Sequence, residues 1–470
     1  MRVRPKGALA LCVLAAASAC TSPYRGRIRE PVPAGAWAPS DAVGEGRGGE
    51  VVNDKVVVPV DTAKDAFPVD LATALRLAGA QATVVSIARE RAAVAASREE
   101  LVASQWFPRV GPQLGFTRID GLVQGTDGAF VDVGKQNLLI GGGAEWRVNP
   151  AATWYATLAA RRRTEASTFG ITAAGHDVLR AAAQGYYDLV QAHTSIQIAN
   201  RTLRAARELV EVTKTQERLG VGLPIDVLRA EARMRRTEGQ LAVAQRDAGV
   251  ASAGLGELLM LDPATRLVPG EKSVGTVGFV DPLAPLASLY SRAQANRPDL
   301  AAARVRLAGA EDAQRGVDRG WWWPGLAARG VVGAYGPNFG RLDGQETLYF
   351  GLEWRFGAGI PAMRREAEAR RRLASLAVTK TERQALREIQ VARETIRATR
   401  ARLVAARHER AAARDGVKLA RAQLKRGEGL LLSVLDMEAA LVRAETAHAA
   451  AVLDLNRAHY DLLHAVGGPE

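Results

Sequence analysis

The chain repeats itself, and a duplication restricts the possible folds more than composition does, because both copies must build the same elements in the same order. From Tyr186-Tyr187-Asp188-Leu189 to Gly222 the sequence has a counterpart 207 positions further on. Leu189, Ile196, Leu203 and Val210 stand opposite Ile396, Leu403, Arg410 and Val417. Gly220, Gly222, Leu223, Val227, Leu228 and Glu231 stand opposite Gly427, Gly429, Leu430, Val434, Leu435 and Glu438. Glu145-Trp146-Arg147 matches Glu353-Trp354-Arg355 at an offset of 208, and Pro108 after Trp106-Phe107 matches Pro324 after Trp322-Trp323 at 216. Upstream, Ala78, Ala80, Val85, Ala88 and Arg89 match Ala293, Ala295, Leu300, Ala303 and Arg304 at 215. Offsets that change in steps place the length differences in loops.

Each half reads helix, strand, loop, strand, very long helix, glycine break, helix. Leu348, Phe350, Leu352, Trp354 and Phe356 alternate with Thr347, Tyr349, Gly351, Glu353 and Arg355, a period of two with one apolar and one polar face. Leu138, Ile140, Ala144, Trp146 and Val148 repeat the pattern against Gly141, Gly143, Glu145 and Arg147. A half-buried strand of a water-soluble sheet alternates in the same way. The aromatic strand ends (Trp106, Phe107, Trp146, Trp321, Trp322, Trp323 and Trp354) favour a membrane-interface girdle instead. Two hairpins give four strands, too few to close a barrel around a lumen, and an open edge is not viable in hydrocarbon. A membrane reading therefore requires several chains to share one barrel, and three chains supply twelve strands.

The long helices carry heptads. Between Pro361 and Lys425 there is no proline, and Ile389, Ile396, Leu403, Val417 and Leu424 form one series with Arg410 as the exception. Ala385, Ala392, Thr399, Ala406, Ala413 and Ala420 form the partner series. A seven-residue period kept this long imposes a left-handed supercoil, and the small residues allow close neighbours. Low aromatic content, 5%, suits such helices.

Residues 1–19 have the cationic start, short apolar run and small-residue end of a secretory signal. Ala17-Ser18-Ala19-Cys20 resembles a lipoprotein cleavage box, so Cys20 is expected to carry lipid; an ordinary secretory signal would leave it incidental. Cys12 is the chain's other cysteine, which leaves no thiol for a disulfide or metal site. Of the formal charge of +13, Arg2, Arg4 and Lys6 fall in the signal, leaving +10. That balance alone does not choose among anionic partners, and no nucleic acid is expected. The six histidines show no metal spacing, no P-loop occurs, and Gly141-Gly142-Gly143 lies on a strand rather than opening a helix. No nucleophile–base pair can be nominated, so no enzyme, cofactor or metal is expected.

With these features assembled, the chain resembles the TolC-like outer-membrane efflux factor family, including its outer membrane efflux lipoproteins. The marks are the duplicated layout, the Phe107-Pro108 and Trp323-Pro324 strand openings, Tyr186-Tyr187-Asp188-Leu189, and the paired segments 218–228 and 425–436. The resemblance implies a mainly α fold with membrane β: a homotrimer whose twelve-stranded barrel, four strands per chain, continues into a long periplasmic α-helical barrel. It implies an exit duct in the outer membrane, served by an inner-membrane pump through a periplasmic adaptor.

The expected organisation is a signal at 1–19, a lipid-anchored tether at 20–66, a first repeat at 67–265 and a linker at 266–284. A second repeat follows at 285–466, with a tail at 467–470. The first repeat holds a β-hairpin at about 108–148, a long helix to 219 and a helix at 223–260. The second holds a β-hairpin at about 324–357, a long helix to 426 and a helix at 430–465. Glycines at 220, 222, 427 and 429 suit helix reversal, whatever else they do. By the resemblance, Gly220, Val221, Gly222, Leu223, Gly427, Gly429 and Leu430 form adaptor-docking tips. Glu428 departs from the apolar residue usual there. Asp226 and Asp436 are either helix-start acids or, in a trimer, carboxylate rings that gate the tube. Ser433 stands where a further aspartate is common. The alternative reading is a periplasmic adaptor lipoprotein, which has one helical hairpin and β-rich modules rather than two hairpins and two strand pairs. A coiled-coil scaffold outside the membrane would explain the heptads alone.

Overall fold

A computed structural model describes residues 33–39, 55–57, 66–220, 222–426, 428 and 430–469. In chain order the elements are β1 (Val56–Val57), β2 (Ala66–Val69), α1 (Leu71–Gln81), α2 (Thr83–Ala103), β3 (Arg109–Gln124) and β4 (Phe130–Val148). They continue with α3 (Pro150–Arg218), α4 (Pro224–Leu258), β5 (Arg266–Pro269), β6 (Ser273–Val274), α5 (Leu286–Asn296) and α6 (Pro298–Gly320). Then follow β7 (Gly325–Asn338), β8 (Arg341–Glu353), α7 (Ile360–Lys425) and α8 (Leu431–Ala465). The chain divides into two compact units, and the long helices α3 and α7 each contribute to both.

The first unit contains residues 91–168 and 302–379. Its centre is one antiparallel sheet in the order β3-β4-β7-β8, with strands of 13 to 19 residues, longer than the 9–11 or so needed to cross a bilayer. Leu114 pairs with Ile140, and Ala328 and Leu326 pair with Phe350 and Leu352, so the apolar side chains share one face. Gln113, Glu145, Arg147, Arg329, Thr347 and Glu353 alternate onto the other face. The sequence alternation extends to Phe356, but β8 ends at Glu353; Phe356 lies in the turn before α7, 6.5 Å from the Trp321 ring. Asn149 joins sheet to helix: its Oδ1 accepts the Ala152 N–H (2.9 Å), while its Nδ2 donates to Gly320 O (2.7 Å) and Trp323 O (3.0 Å). Helix α6 lies close on α3, because side chains at Gly309, Gly316 and Gly320 would meet Arg162, Tyr155 and Ala152 at 3.1, 3.0 and 2.9 Å.

The second unit contains the described residues within 29–90, 169–301 and 380–470. Along α7 both heptad series are buried from Ala385 to Ala420. Arg410, the exception, sets its Nη1 2.9 Å from His448 Nδ1 on α8. At about 1.5 Å per residue, the 69 residues of α3 and the 66 of α7 each extend about 100 Å. The C-terminal half of α8 is buried on nearly every face, as Leu453, Leu455, Tyr460, Leu462 and Leu463 show. Around Tyr460 stand Phe279 and Tyr187, at ring distances of 4.8 and 6.1 Å.

Two stretches differ from their sequence reading. Residues 266–284, expected as a plain linker, carry β5 and β6, which pair with β2 in parallel and with β1 antiparallel. The expected tether supplies β1, the start of β2 at Ala66, and a 3₁₀ turn (Ala34–Trp37). Trp37 is fully buried, its carbonyl accepting the Tyr460 hydroxyl at 2.9 Å. Short strands joined across some 200 positions leave no periodicity to read. The signal segment and Cys20 lie outside the described residues.

Arg297 is buried and holds a polar network. It binds Asp299 through Nε (3.0 Å) and Nη2 (2.7 Å), Glu388 through Nη1 (2.7 Å), and the Ala465 carbonyl (3.1 Å). It therefore ties the α5–α6 turn to α7 and α8. Replacing one member of such a network leaves the others desolvated without a partner. Arg297→Met is expected to cost about 3 kcal/mol or more, read as a lowered thermal unfolding midpoint, with Arg297→Lys losing less.

Burial holds His176 and His459 neutral, each pushed down to about 4. For His176 the nearby His464 acts in the same direction, while Asp177 and Asp299 oppose it more weakly. Unfolded imidazoles take up protons near pH 6.5. Between 6.5 and 4 the unfolded chain therefore holds more protons, and stability falls as pH falls. The full effect is roughly 3 kcal/mol per histidine. Melting temperatures measured from pH 7 to 4 should show this fall, and a His176→Gln/His459→Gln variant should flatten it.

Candidate functional site

The sheet presents two chemically different faces, and its strand ends gather the aromatic residues. β3 and β7 begin, and β4 and β8 end, at the same end of the sheet. There Phe107, Trp322, Trp323 and Trp354 are exposed, and Trp106 and Trp146 are half-buried. At the opposite end Phe130 opens β4, and Phe339, 77% exposed, sits in the β7–β8 turn. This second aromatic set was not picked out from sequence, although its position beside the turns made it findable. On the apolar face Leu114, Phe116, Leu348, Phe350 and Leu352 are all exposed. Such a continuous apolar surface on both edge strands is costly in water.

The polar face carries a charged row. Arg109 pairs with Glu145, and Glu145 with Arg329, which is followed by Tyr349 on β8. In the next rows Gln113 pairs with Gly141, Gly141 with Gly333, and Gly333 with Gln345. Charges and amides on one face with hydrocarbon on the other are what a strand between water and lipid requires.

After the C-terminal ends of α3 and α7 the chain reverses. After α3, Gly220 takes φ +74° and gives its N–H to Glu217 O at 2.9 Å, while the Gly222 N–H reaches back to Gln216 O at 3.0 Å. These bonds satisfy carbonyls that the helix end leaves open. Pro224 then starts α4 at a position where the missing N–H costs nothing. Leu219, Leu223, Ile225 and Leu228 are exposed at this turn, as are Leu430 and Leu432 at the second. Val221, Gly427 and Gly429 lie outside the described residues. The Glu428 N–H reaches Gln423 O at 3.0 Å, so this turn also closes back on its helix.

The two aspartates are not equivalents. Asp226 lies in the first turn of α4, where the helix dipole favours an anion, and faces Arg229 Nη1 at 3.3 Å. Its counterpart 207 positions on is Ser433; Asp436 answers instead to Arg229. Asp436 is exposed in the second turn of α8, so an origin as a helix-start acid does not account for it.

Sequence reasoning missed a repeated staple below the turns. Lys214 Nζ meets Glu231 Oε1 at 2.9 Å, and Arg421 Nη2 meets Glu438 Oε1 at 2.6 Å. The pairs are related by the same offset of 207, which matched Glu231 with Glu438 in the sequence but was not carried to their basic partners Lys214 and Arg421. Glu438 is buried, and between the hairpins Leu209, Val210, Ala230 and Leu431 form a common core. Tyr186 and Tyr187 of the marker segment are buried, and Asp188 pairs with Arg457 at 2.7 Å. Among the described residues no group of three or more His, Cys, Asp or Glu is placed to hold a metal.

Comparison with known proteins gives one consistent picture. Residues 289–468 match the family model "Outer membrane efflux protein". None of the curated proteins matches the chain in sequence. The solved structure of the outer-membrane channel OprN aligns at 20% identity, over 90% of this chain and 99% of its own, with a TM-score of 0.75. VceC from Vibrio cholerae aligns at 18% identity over 85% and 96%, TM-score 0.74. The open state of MtrE from Neisseria gonorrhoeae aligns at 19% over 91% and 98%, TM-score 0.70. Breaking the lower staple should loosen the turns without touching the sheet: Glu438→Gln, which strands Arg421, should lower the thermal midpoint and increase protease nicking near residue 428 while leaving the sheet's circular dichroism unchanged. The second repeat thus matches the outer membrane efflux protein family, and the fold across both repeats is that of the solved outer-membrane channels.

Proposed function

We propose that the chain works as a homotrimeric exit duct that passes solutes passively across the outer membrane, delivered by an inner-membrane pump through a periplasmic adaptor. One observation carries the reading: a four-stranded sheet with an exposed apolar face, an opposite polar face and two unpaired edges. In hydrocarbon each unpaired backbone group costs several kcal/mol, so the sheet needs further strands, and three copies supply twelve. The polar face with Arg109, Glu145 and Arg329 then lines water, and the aromatic residues at the strand ends meet the lipid headgroups. No residue is assigned a catalytic role, and no cofactor or metal is assigned.

The remaining assignments have separate supports. Lipidation at Cys20 rests on the sequence motif. Adaptor docking at the turns rests on exposed Leu219, Leu223, Ile225, Leu430 and Leu432 around Gly220 and Gly222. Gating by Asp226 and Asp436 rests on their place beside those turns, with Asp436 free of the helix-start explanation. The adaptor alternative is disfavoured by the four-stranded sheet and the two long hairpins.

Single-channel recording in planar bilayers tests the duct. The expected result is insertion from one side and ion conduction, with Asp226→Asn/Asp436→Asn raising conductance severalfold or weakening cation preference. A protein that never conducts, with or without these substitutions, contradicts it. For the anchor, the wild type should incorporate radiolabelled palmitate and Cys20→Ser should not.

A further inference from the structure

The polar face of the sheet carries more positive charge than its own acids offset. A hollow of about 630 Å³ lies on this side, lined by Gln113, Arg147, Arg329, Tyr349 and Glu353 among others, so the polar face is the concave one. A sheet that closes into a barrel turns its concave face to the lumen. Near the strand ends where the aromatic residues gather, this face brings together Glu145, Glu353, Arg109, Arg147, Arg329 and, just after β8, Arg355.

The duplication separates these charges into two kinds. Glu145-Trp146-Arg147 and Glu353-Trp354-Arg355 are copies of one motif, and each is neutral within itself. Arg147 Nη2 lies 3.2 Å from Glu145 Oε1, and Arg355 Nη2 lies 3.5 Å from Glu353 Oε2. Arg109 and Arg329 stand outside the motif. At the offset of 216 their counterparts are Gly325 and Gln113, so each arginine belongs to one hairpin only. They flank Glu145 in one row across the sheet, both are exposed, and among the described residues neither makes an ion pair. Four arginines against two glutamates leave +2 per chain at this level, and toward the turns Lys135 and Asp343 offset each other.

We infer that Arg109 and Arg329 make this level of the duct an anion-selecting ring, and that its cargo is organic anions, solutes bearing a carboxylate or similar charge. The inference rests on the duct reading and names the solute class which that reading leaves open. Rings of arginine or lysine are how pores favour anions. Three copies would bring the charge of the ring to about +6, and the hydrocarbon behind the apolar face would focus its field into the water of the lumen. Guanidinium stays charged at every working pH, and its planar fork of N–H donors matches a carboxylate. Tyr349 follows Arg329 in the same row and adds a neutral donor beside it. Arg109 and Arg329 sit two strands apart, about 10 Å by strand spacing, close to the screening length of physiological salt. Their preference for anions therefore weakens as salt rises.

Reversal potentials in a KCl gradient test the ring, with the full lipid-anchored chain in planar bilayers. Because carboxylates at the turns favour cations, the parent is Asp226→Asn/Asp436→Asn. At about 0.1 M salt the parent should pass chloride over potassium by a few-fold, and at about 1 M the two should be nearly equal. Adding Arg109→Gln/Arg329→Gln should abolish the preference, Arg109→Lys/Arg329→Lys should keep it, and Glu145→Gln should raise it. With potassium glutamate in place of chloride, anion current should persist in the parent and fall in the Arg→Gln variant. Arginines needed only for structure would not separate lysine from glutamine, nor make Glu145→Gln act in the opposite direction. A conducting trimer with no anion preference in the parent, or with one that survives Arg→Gln, overturns the ring and leaves the duct standing. Where the Arg→Gln variant forms no trimer, Glu145→Gln decides, and the absence of a rise overturns the ring. A protein that conducts in none of these forms removes the duct and the ring together.

Discussion

Every backbone N–H and C=O inside a bilayer must be paired, and this chain brings only four strands to meet that demand. The inner pairings β3–β4, β4–β7 and β7–β8 satisfy three junctions and leave two edges open. A soluble protein blunts such edges with charge, proline or a covering loop. Here the edge strands carry Leu114, Phe116, Leu348, Phe350 and Leu352 on one face, which is the opposite of protection. In the proposed duct the open edges are completed by copies of the same chain.

The helical part answers a different physical demand. In the proposed duct, a tube wall made of helices about 100 Å long needs each helix to contact neighbours on two sides, so no single wide apolar stripe will do. Two heptad series on α7, one of Ile, Leu and Val and one largely of Ala, supply two narrow seams. Charge takes the remaining positions, which explains an arginine-rich sequence without invoking an anionic partner. Ion pairs at Lys214–Glu231 and Arg421–Glu438 hold the hairpins just before the turns, where the cores have thinned to a few leucines, valines and alanines.

How much of this was legible follows from what repeats. The strands and the long helices have periods or duplicated motifs, and β3, β4, β7, β8, α3 and α7 lie where those periods run. Trp37, β1, β2, β5 and β6 have neither: they are a lone aromatic and strands of two to four residues whose partners lie about 200 positions away. The aspartates were grouped as an acid beyond each turn, yet the offset that defines the repeat sends Asp226 to Ser433 and Arg229 to Asp436. Carried consistently to polar residues, the same offset would have separated the two aspartates and found the paired staples. The asymmetry also has a physical consequence, since a ring of alternating repeats would present Arg229 beside Asp436 rather than six like charges.

The most direct test of the central claim, that four strands per chain can function only as a shared barrel, is the native mass of the protein released from detergent micelles. The account predicts a complex of three chains, retained when Asp226 and Asp436 are neutralised because gating does not hold the barrel together. A monomer that stays folded and membrane-inserted would contradict it.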